Sequence, residues 1–178
     1  MIIISNMVNN RKFRSGFTLV ELLVVIAILG ILVTVGLVSF RTSQIRGRDA
    51  QRKSDLKQLA SALELYYSDY GVYPGASGGV ILACPTSTDP PTPCTWGDAA
   101  KHLTDDKTLY MKVIPKDPAS SRSYLYRTVA VAGVANLGFQ LFASLENTQD
   151  PGLISTGYSC GTVGCNFAVT SPNTSASD

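Results

Sequence analysis

Glu21 is the first residue in this chain that needs a chemical partner. It is followed at once by residues 22–40, nineteen positions with no charge and no proline. A carboxylate left beside hydrocarbon costs several kcal/mol unless it is paired, so Glu21 calls for a cation. Arg11, Lys12 and Arg14 stand before it, followed by Ser15, Gly16, Phe17 and Thr18. A second chemical group is the four cysteines, Cys84, Cys94, Cys160 and Cys165, spaced C-x9-C and C-x4-C. Zinc ribbons want C-x2-4-C knuckles, which C-x4-C meets loosely and C-x9-C does not, so disulfides are the better reading. Of the three connectivities open to four cysteines, the local one joins Cys84 to Cys94 and Cys160 to Cys165. Closing such small loops contributes roughly 2–3 kcal/mol each.

Signals for catalysis are absent from the sequence. His102 is the only histidine, so no multi-histidine metal site can form. Asp105 and Asp106 are adjacent, and on a helix neighbouring side chains point about 100° apart rather than converging. No G-x-S-x-G, phosphate-binding loop or dinucleotide fingerprint occurs. The chain has 178 residues, a net charge of +2 and 16 % charged residues, which argues against a strongly basic nucleic-acid binder. A hydrophobic fraction of 45 % argues against disorder throughout.

The elements that must position these groups follow from periodicity. Residues 22–40 would make roughly 28 Å of helix, enough for a hydrocarbon core. No Ala-x-Ala-like site follows, so the segment is read as a retained anchor rather than a secretory signal. Past it, Leu56, Leu59, Ala60, Leu63, Tyr66, Tyr67 and Tyr70 recur at spacings of three and four, one apolar face of a helix. Gly71 and Pro74 supply its stop.

Residues 14–23, Arg-Ser-Gly-Phe-Thr-Leu-Val-Glu-Leu-Leu, resemble the prepilin motif of type IV pilins and type II secretion pseudopilins. The resemblance implies a leader, residues 1–16, removed by a prepilin peptidase after Gly16, and N-methylation of the new first residue, Phe17. A start at Met7 would leave a ten-residue leader. It also implies that Glu21 pairs with the free amine of a neighbouring subunit, the cation demanded above. The fold it implies is α+β, the pilin fold: a long N-terminal helix, membrane-spanning in its first half, packed on a small antiparallel sheet. The implied organisation is an assembly helix over 17–40, an amphipathic half over 41–70, a connecting region over 71–122, a sheet over 123–170 and a flexible tail over 171–178. Unlike many relatives, the apolar run carries Gly30 and Gly36 and no proline where the helix could melt.

The implied function is a structural subunit of a type IV pilus or a type II secretion pseudopilus, not an enzyme. It polymerises as burial of about twenty apolar residues among neighbouring helices proceeds. Implied partners are further copies of itself, minor pilins or pseudopilins, the prepilin peptidase, an inner-membrane assembly platform, and membrane lipid before assembly. Its place would be a single-pass inner-membrane protein, then a periplasmic or cell-surface filament. The alternative from another class is a single-pass anchored binding domain that never polymerises.

Residues 41–57 carry six Lys/Arg and two acids, against three positive charges in the leader. Positive-inside bias alone would place that side in the cytoplasm. The cysteines and the peptidase site implied by the resemblance argue for the opposite orientation, with the domain after the anchor outside the cytoplasm. Three readings of the basic stretch stay open: lipid headgroups, charge matching between subunits, and DNA. The last is disfavoured by the lack of any aromatic between Arg41 and Lys57.

In the remainder, Gly, Pro, Ser and Thr across 71–93 read as loop, and residues 98–106 as a short helix. Residues 124–132 and 137–145 read as an antiparallel hairpin, the second strand alternating with period two. Residues 165–170 offer a third strand. Tyr73-Pro74, Ile114-Pro115-Lys116-Asp117-Pro118 and Tyr124-Leu125-Tyr126 resemble the major-pseudopilin branch. Members of that branch commonly hold calcium after the second strand, which here points to Glu146, Asn147 and Asp150. Two acids and an amide fall short of the six to eight oxygens calcium takes, and a plain polar turn is the stronger reading. No cofactor is required for folding.

Overall fold

The computed structural model describes residues 16–84, 92–98, 103–104 and 107–177, without the side chains of residues 35, 36 and 38. The chain divides into two compact units, Met1–Thr42 and Ser43–Asp178. One helix, α1 (Leu19–Tyr70), supplies the described helical part of the first and the first element of the second. It stops where expected: the Gly71 N–H donates to the Tyr67 carbonyl at 2.7 Å, and Gly71 takes φ 69°, a left-handed cap open to glycine at least cost.

Among the described residues ten short strands follow, all paired antiparallel. A first sheet joins β1 (Gly75–Ser77), β2 (Val80–Cys84) and β3 (Thr92–Cys94). Then come β4 (Leu103–Thr104) paired with β5 (Leu109–Met111). The main sheet has β6 (Leu125–Val131) and β7 (Val134–Ala143), with β8 (Ser159–Cys160) and β9 (Val163–Gly164) forming a small hairpin before β10 (Phe167–Thr170). The order of the main sheet is β10-β7-β6.

The hairpin of β6 and β7 forms as the alternation predicts, but its turn is tighter. Val131 pairs with Val134, and Ala132 and Gly133 both take positive φ, 52° and 81°. That conformation matches the strand twist of a two-residue turn. Both faces of β7 are covered from Gly138 onward. Phe139, Leu141 and Ala143 join Leu56, Leu59 and Leu63 of α1 in the main core, so the predicted helix face meets the predicted strand face. Phe142 lies on the other side with Cys160 and Cys165.

Three expectations are corrected. The loop over 71–93 contains β1 and β2, because Gly78 and Gly79 take φ 57° and 83° and turn the chain back with Ser77 opposite Val80. In the stretch read as a short helix, the described residues Leu103–Thr104 form a strand, with Leu103 buried in the core; residues 99–102, His102 among them, and 105–106 lie outside the described residues. The tail read as flexible is docked through its described residues: Ser171 is buried, Gln140 donates to the Ser175 carbonyl at 2.6 Å and Asn173 to the Leu137 carbonyl at 2.7 Å. The two local disulfides, Cys84–Cys94 and Cys160–Cys165, are formed. One ties β2 to β3 and the other closes the β8–β9 hairpin.

Candidate functional site

Two groups of hydrogen-bonded polar residues stand out, one in each unit. In the first unit, Gly16 and Phe17 precede the helix and are exposed. Residues 1–15 of the expected leader lie outside the described residues. Thr18 caps the helix: the Glu21 N–H donates to Thr18 Oγ1 at 3.2 Å, while Thr18 N–H and Oγ1–H donate to Glu21 Oε2 at 2.8 and 2.7 Å. This is a capping box, in which a Thr and a Glu three residues on satisfy each other's orphan donors. The Thr-x-x-Glu spacing of this box stands in the sequence, and gives Glu21 a partner within its own chain beside the intermolecular one the resemblance implies. Both hydrogen bonds to the carboxylate fall on Oε2. Beyond the box, the apolar side chains from Leu19 to Phe40 are exposed at every described position. This helix is long and apolar enough to cross a membrane.

In the second unit, Arg52 is the largest fully buried side chain. Its Nε and Nη2 donate to the two oxygens of Asp117 at 2.7 and 2.8 Å, a bidentate pair with both side chains sealed from solvent. Its Nη1 reaches Asp49 and Glu146, each at 2.8 Å. Arg48 grips the Glu146 carboxylate through Nε and Nη2. Lys53 Nζ binds both oxygens of Asp150, at 2.8 and 2.6 Å. Asp49 completes the cluster by accepting the backbone N–H groups of Glu146 and Asn147. One turn and a half of helix thus pins the loop after β7 and the Ile-Pro-Lys-Asp-Pro segment.

Three of the six cations in the basic stretch are therefore consumed inside the subunit, a reading the sequence did not offer. Apart from Asp49, three residues before Arg52, the partners lie 65 to 98 residues away in sequence, so no local pattern announces them. Arg41, Arg46 and Lys57 remain on exposed positions of the helix. Burial works against the Arg52 charge, but its three carboxylate partners outweigh it and keep the guanidinium firmly protonated. The Arg48 hydrogen bonds, against the cost of burial and with help from Arg52, pull the Glu146 carboxyl down to about 2. Lys53 likewise holds the Asp150 carboxyl below its ordinary value.

Residues 11–37 match the family model for the prokaryotic N-terminal methylation motif. Over 108 residues the chain is 32 % identical to the type II secretion system core protein G of Pseudomonas aeruginosa, covering 61 % of this chain and 70 % of that protein. The chain belongs to the type IV pilin and pseudopilin family. Within the family, the core protein G of Aeromonas hydrophila is 31 % identical over 61 % of this chain and 69 % of its own length. The type IV major pilin protein PilA of Myxococcus xanthus is 38 % identical over 58 residues, 33 % of this chain and 26 % of that protein. No solved structure matches. Family membership makes the chain a membrane-anchored structural subunit of a pilus or pseudopilus, self-assembling with other pilins.

The pseudopilin resemblance also raised calcium at Glu146, Asn147 and Asp150, and the donor set does not fit a resident cation. Both oxygens of Glu146 and both of Asp150 already receive guanidinium or ammonium hydrogens. The Asn147 side-chain oxygen takes the Gln149 N–H. Among the described residues, no group of three or more His, Cys, Asp or Glu is placed to hold a metal.

Two outcomes follow from the cluster. Arg52→Met leaves Asp117 buried without its partner, and equilibrium urea unfolding of the full chain in detergent should show a loss of about 3–5 kcal/mol. The second concerns acid. A carboxylate whose folded pKa is depressed adds stability above its ordinary pKa, about 4.5 for Glu146, and loses it as pH falls toward about 2. Unfolding midpoints should therefore drop through that window, and Arg48→Gln should flatten the drop.

Proposed function

We propose that this chain is the main subunit of a type II secretion pseudopilus, made as a precursor and cut between Gly16 and Phe17. A prepilin peptidase releases the Phe17 amine and N-methylates it, and an inner-membrane platform then draws subunits from the bilayer into a filament. The single observation that carries this reading is the likeness to core protein G over 108 residues, 61 % of the chain. The likeness to a type IV major pilin covers only 33 % of the chain, which makes a pilus the second reading. In either filament the subunit starts as a single-pass inner-membrane protein with its second unit on the periplasmic side. Minor pseudopilins join the same assembly.

The energetics of such a transfer rest on Glu21 rather than on hydrophobicity alone. Lipid tails are as apolar as the leucines they surround, so moving residues 19–40 from bilayer to filament core gains packing and little transfer energy. A carboxylate near hydrocarbon gains much more from meeting an ammonium, because pairing removes a cost of several kcal/mol. Cleavage creates that ammonium four residues before Glu21 on every subunit. The Thr18 box keeps Glu21 hydrogen-bonded until the amine of a neighbour arrives.

Glu21→Ala should leave cleavage intact and abolish filaments, scored by gel mobility of the subunit and by sedimentation of sheared surface or periplasmic polymers. Normal polymer from this variant would contradict the assigned role and favour an anchored domain that does not polymerise.

A further inference from the structure

The loop after β7 needs positive charge: it brings Glu146 and Asp150 against the helix, next to Asp49 and Asp117. We infer that in this chain the helix itself supplies that charge through Arg48, Arg52 and Lys53, and that the folded domain takes no calcium there. The inference concerns the globular unit alone and stands whether or not the chain polymerises.

Polarity of the backbone is the first argument. Calcium is held by oxygens, with main-chain carbonyls turned toward it. Here the loop turns N–H groups inward instead: those of Glu146 and Asn147 both donate to the Asp49 carboxylate, at 2.8 to 3.1 Å. An anion, not a cation, occupies the centre on which the loop closes. The second argument is charge. Three cations (Arg48, Arg52, Lys53) face four anions (Asp49, Asp117, Glu146, Asp150), which sums to −1. A divalent ion would meet a nearly neutral cluster and would have to displace cations already within hydrogen-bond distance.

The third argument is space. The cavity at the loop, about 230 Å³, is lined by Arg46, Asp49, Ala50, Lys53, Asn147 and Asp150. Lys53 Nζ sits beside it with both Asp150 oxygens in reach and the Phe167 ring 5.2 Å away. That ring lies within the range where an aromatic face attracts an ammonium, so the nitrogen is held from two sides. Asp150 is also fixed by the Gly152 N–H at 2.9 Å.

The test uses the full chain in detergent micelles, melted in EDTA and in millimolar calcium. Equal midpoints, within about 1 °C, are expected; a bound calcium at a hundredfold excess over its dissociation constant would raise the midpoint by about 5 °C or more. A calcium-dependent rise, or one calcium per chain retained after dialysis, would overturn the inference. A second arm reads the ion pair directly. Lys53→Asp should lower the midpoint by about 3 °C, and the swap with Asp150→Lys should recover at least half of that loss. Absence of a loss, or of recovery in the swap, would show that Lys53 is not the cation of this loop.

Discussion

An apolar helix surface with nothing in its own chain to cover it governs what this protein can be. From Leu19 to Phe40 every described apolar side chain is exposed, and a patch of that size on a soluble monomer marks an interface or a membrane contact. Lipid and neighbouring copies of the same helix are the two environments that suit it. A subunit that can pass from one to the other needs a polar device to tell them apart, because the hydrocarbon does not. Glu21 at the head of the run is the polar group at that boundary, hydrogen-bonded to Thr18 within a single chain, and the role proposed for it above is that of such a device.

The same helix changes chemistry past Thr42. Its apolar stripe of Leu56, Leu59 and Leu63 packs on β7, and the turn before that stripe places Arg48, Asp49, Arg52 and Lys53 among acids from two distant loops. Hydrophobic burial is non-directional and sets that the sheet lies on the helix. The bidentate Arg52–Asp117 pair is directional and sets the position of the loops. Such a buried pair is a weak source of net stability but a strong penalty on any arrangement that leaves one partner alone. Asp117 belongs to the Ile-Pro-Lys-Asp-Pro stretch, so that short motif has a mechanical role as the anchor of a segment to the helix.

Features that depend on neighbours in sequence are legible in the sequence itself. The body of the long helix up to Gly71 and the hairpin of β6 and β7 follow from periods and stops, and short spacings favour the local pair of disulfides among three connectivities. What escaped depends on distance or on context. The basic stretch looked like a solvated or interfacial surface because Asp117, Glu146 and Asp150 lie far along the chain. Residues 75–84 were hidden by their small-residue composition, although Gly78-Gly79 is a two-residue turn signal of the kind hairpins favour. Leu103–Thr104 joins a strand because Leu103 reaches the core, a tertiary demand that overrides local propensity. The tail was read from composition alone, whereas Ser171 and Asn173 find acceptors and donors along β7.

A subunit that becomes competent to polymerise only once cleavage frees the Phe17 amine must carry the mark of that cleavage at its amino terminus. Intact mass and terminal-residue analysis of the protein taken from membranes of its native host should give a chain beginning at Phe17 with one added methyl group. A chain that keeps residues before Phe17, in a host whose prepilin peptidase is active, would contradict the account and leave an uncut anchor in its place.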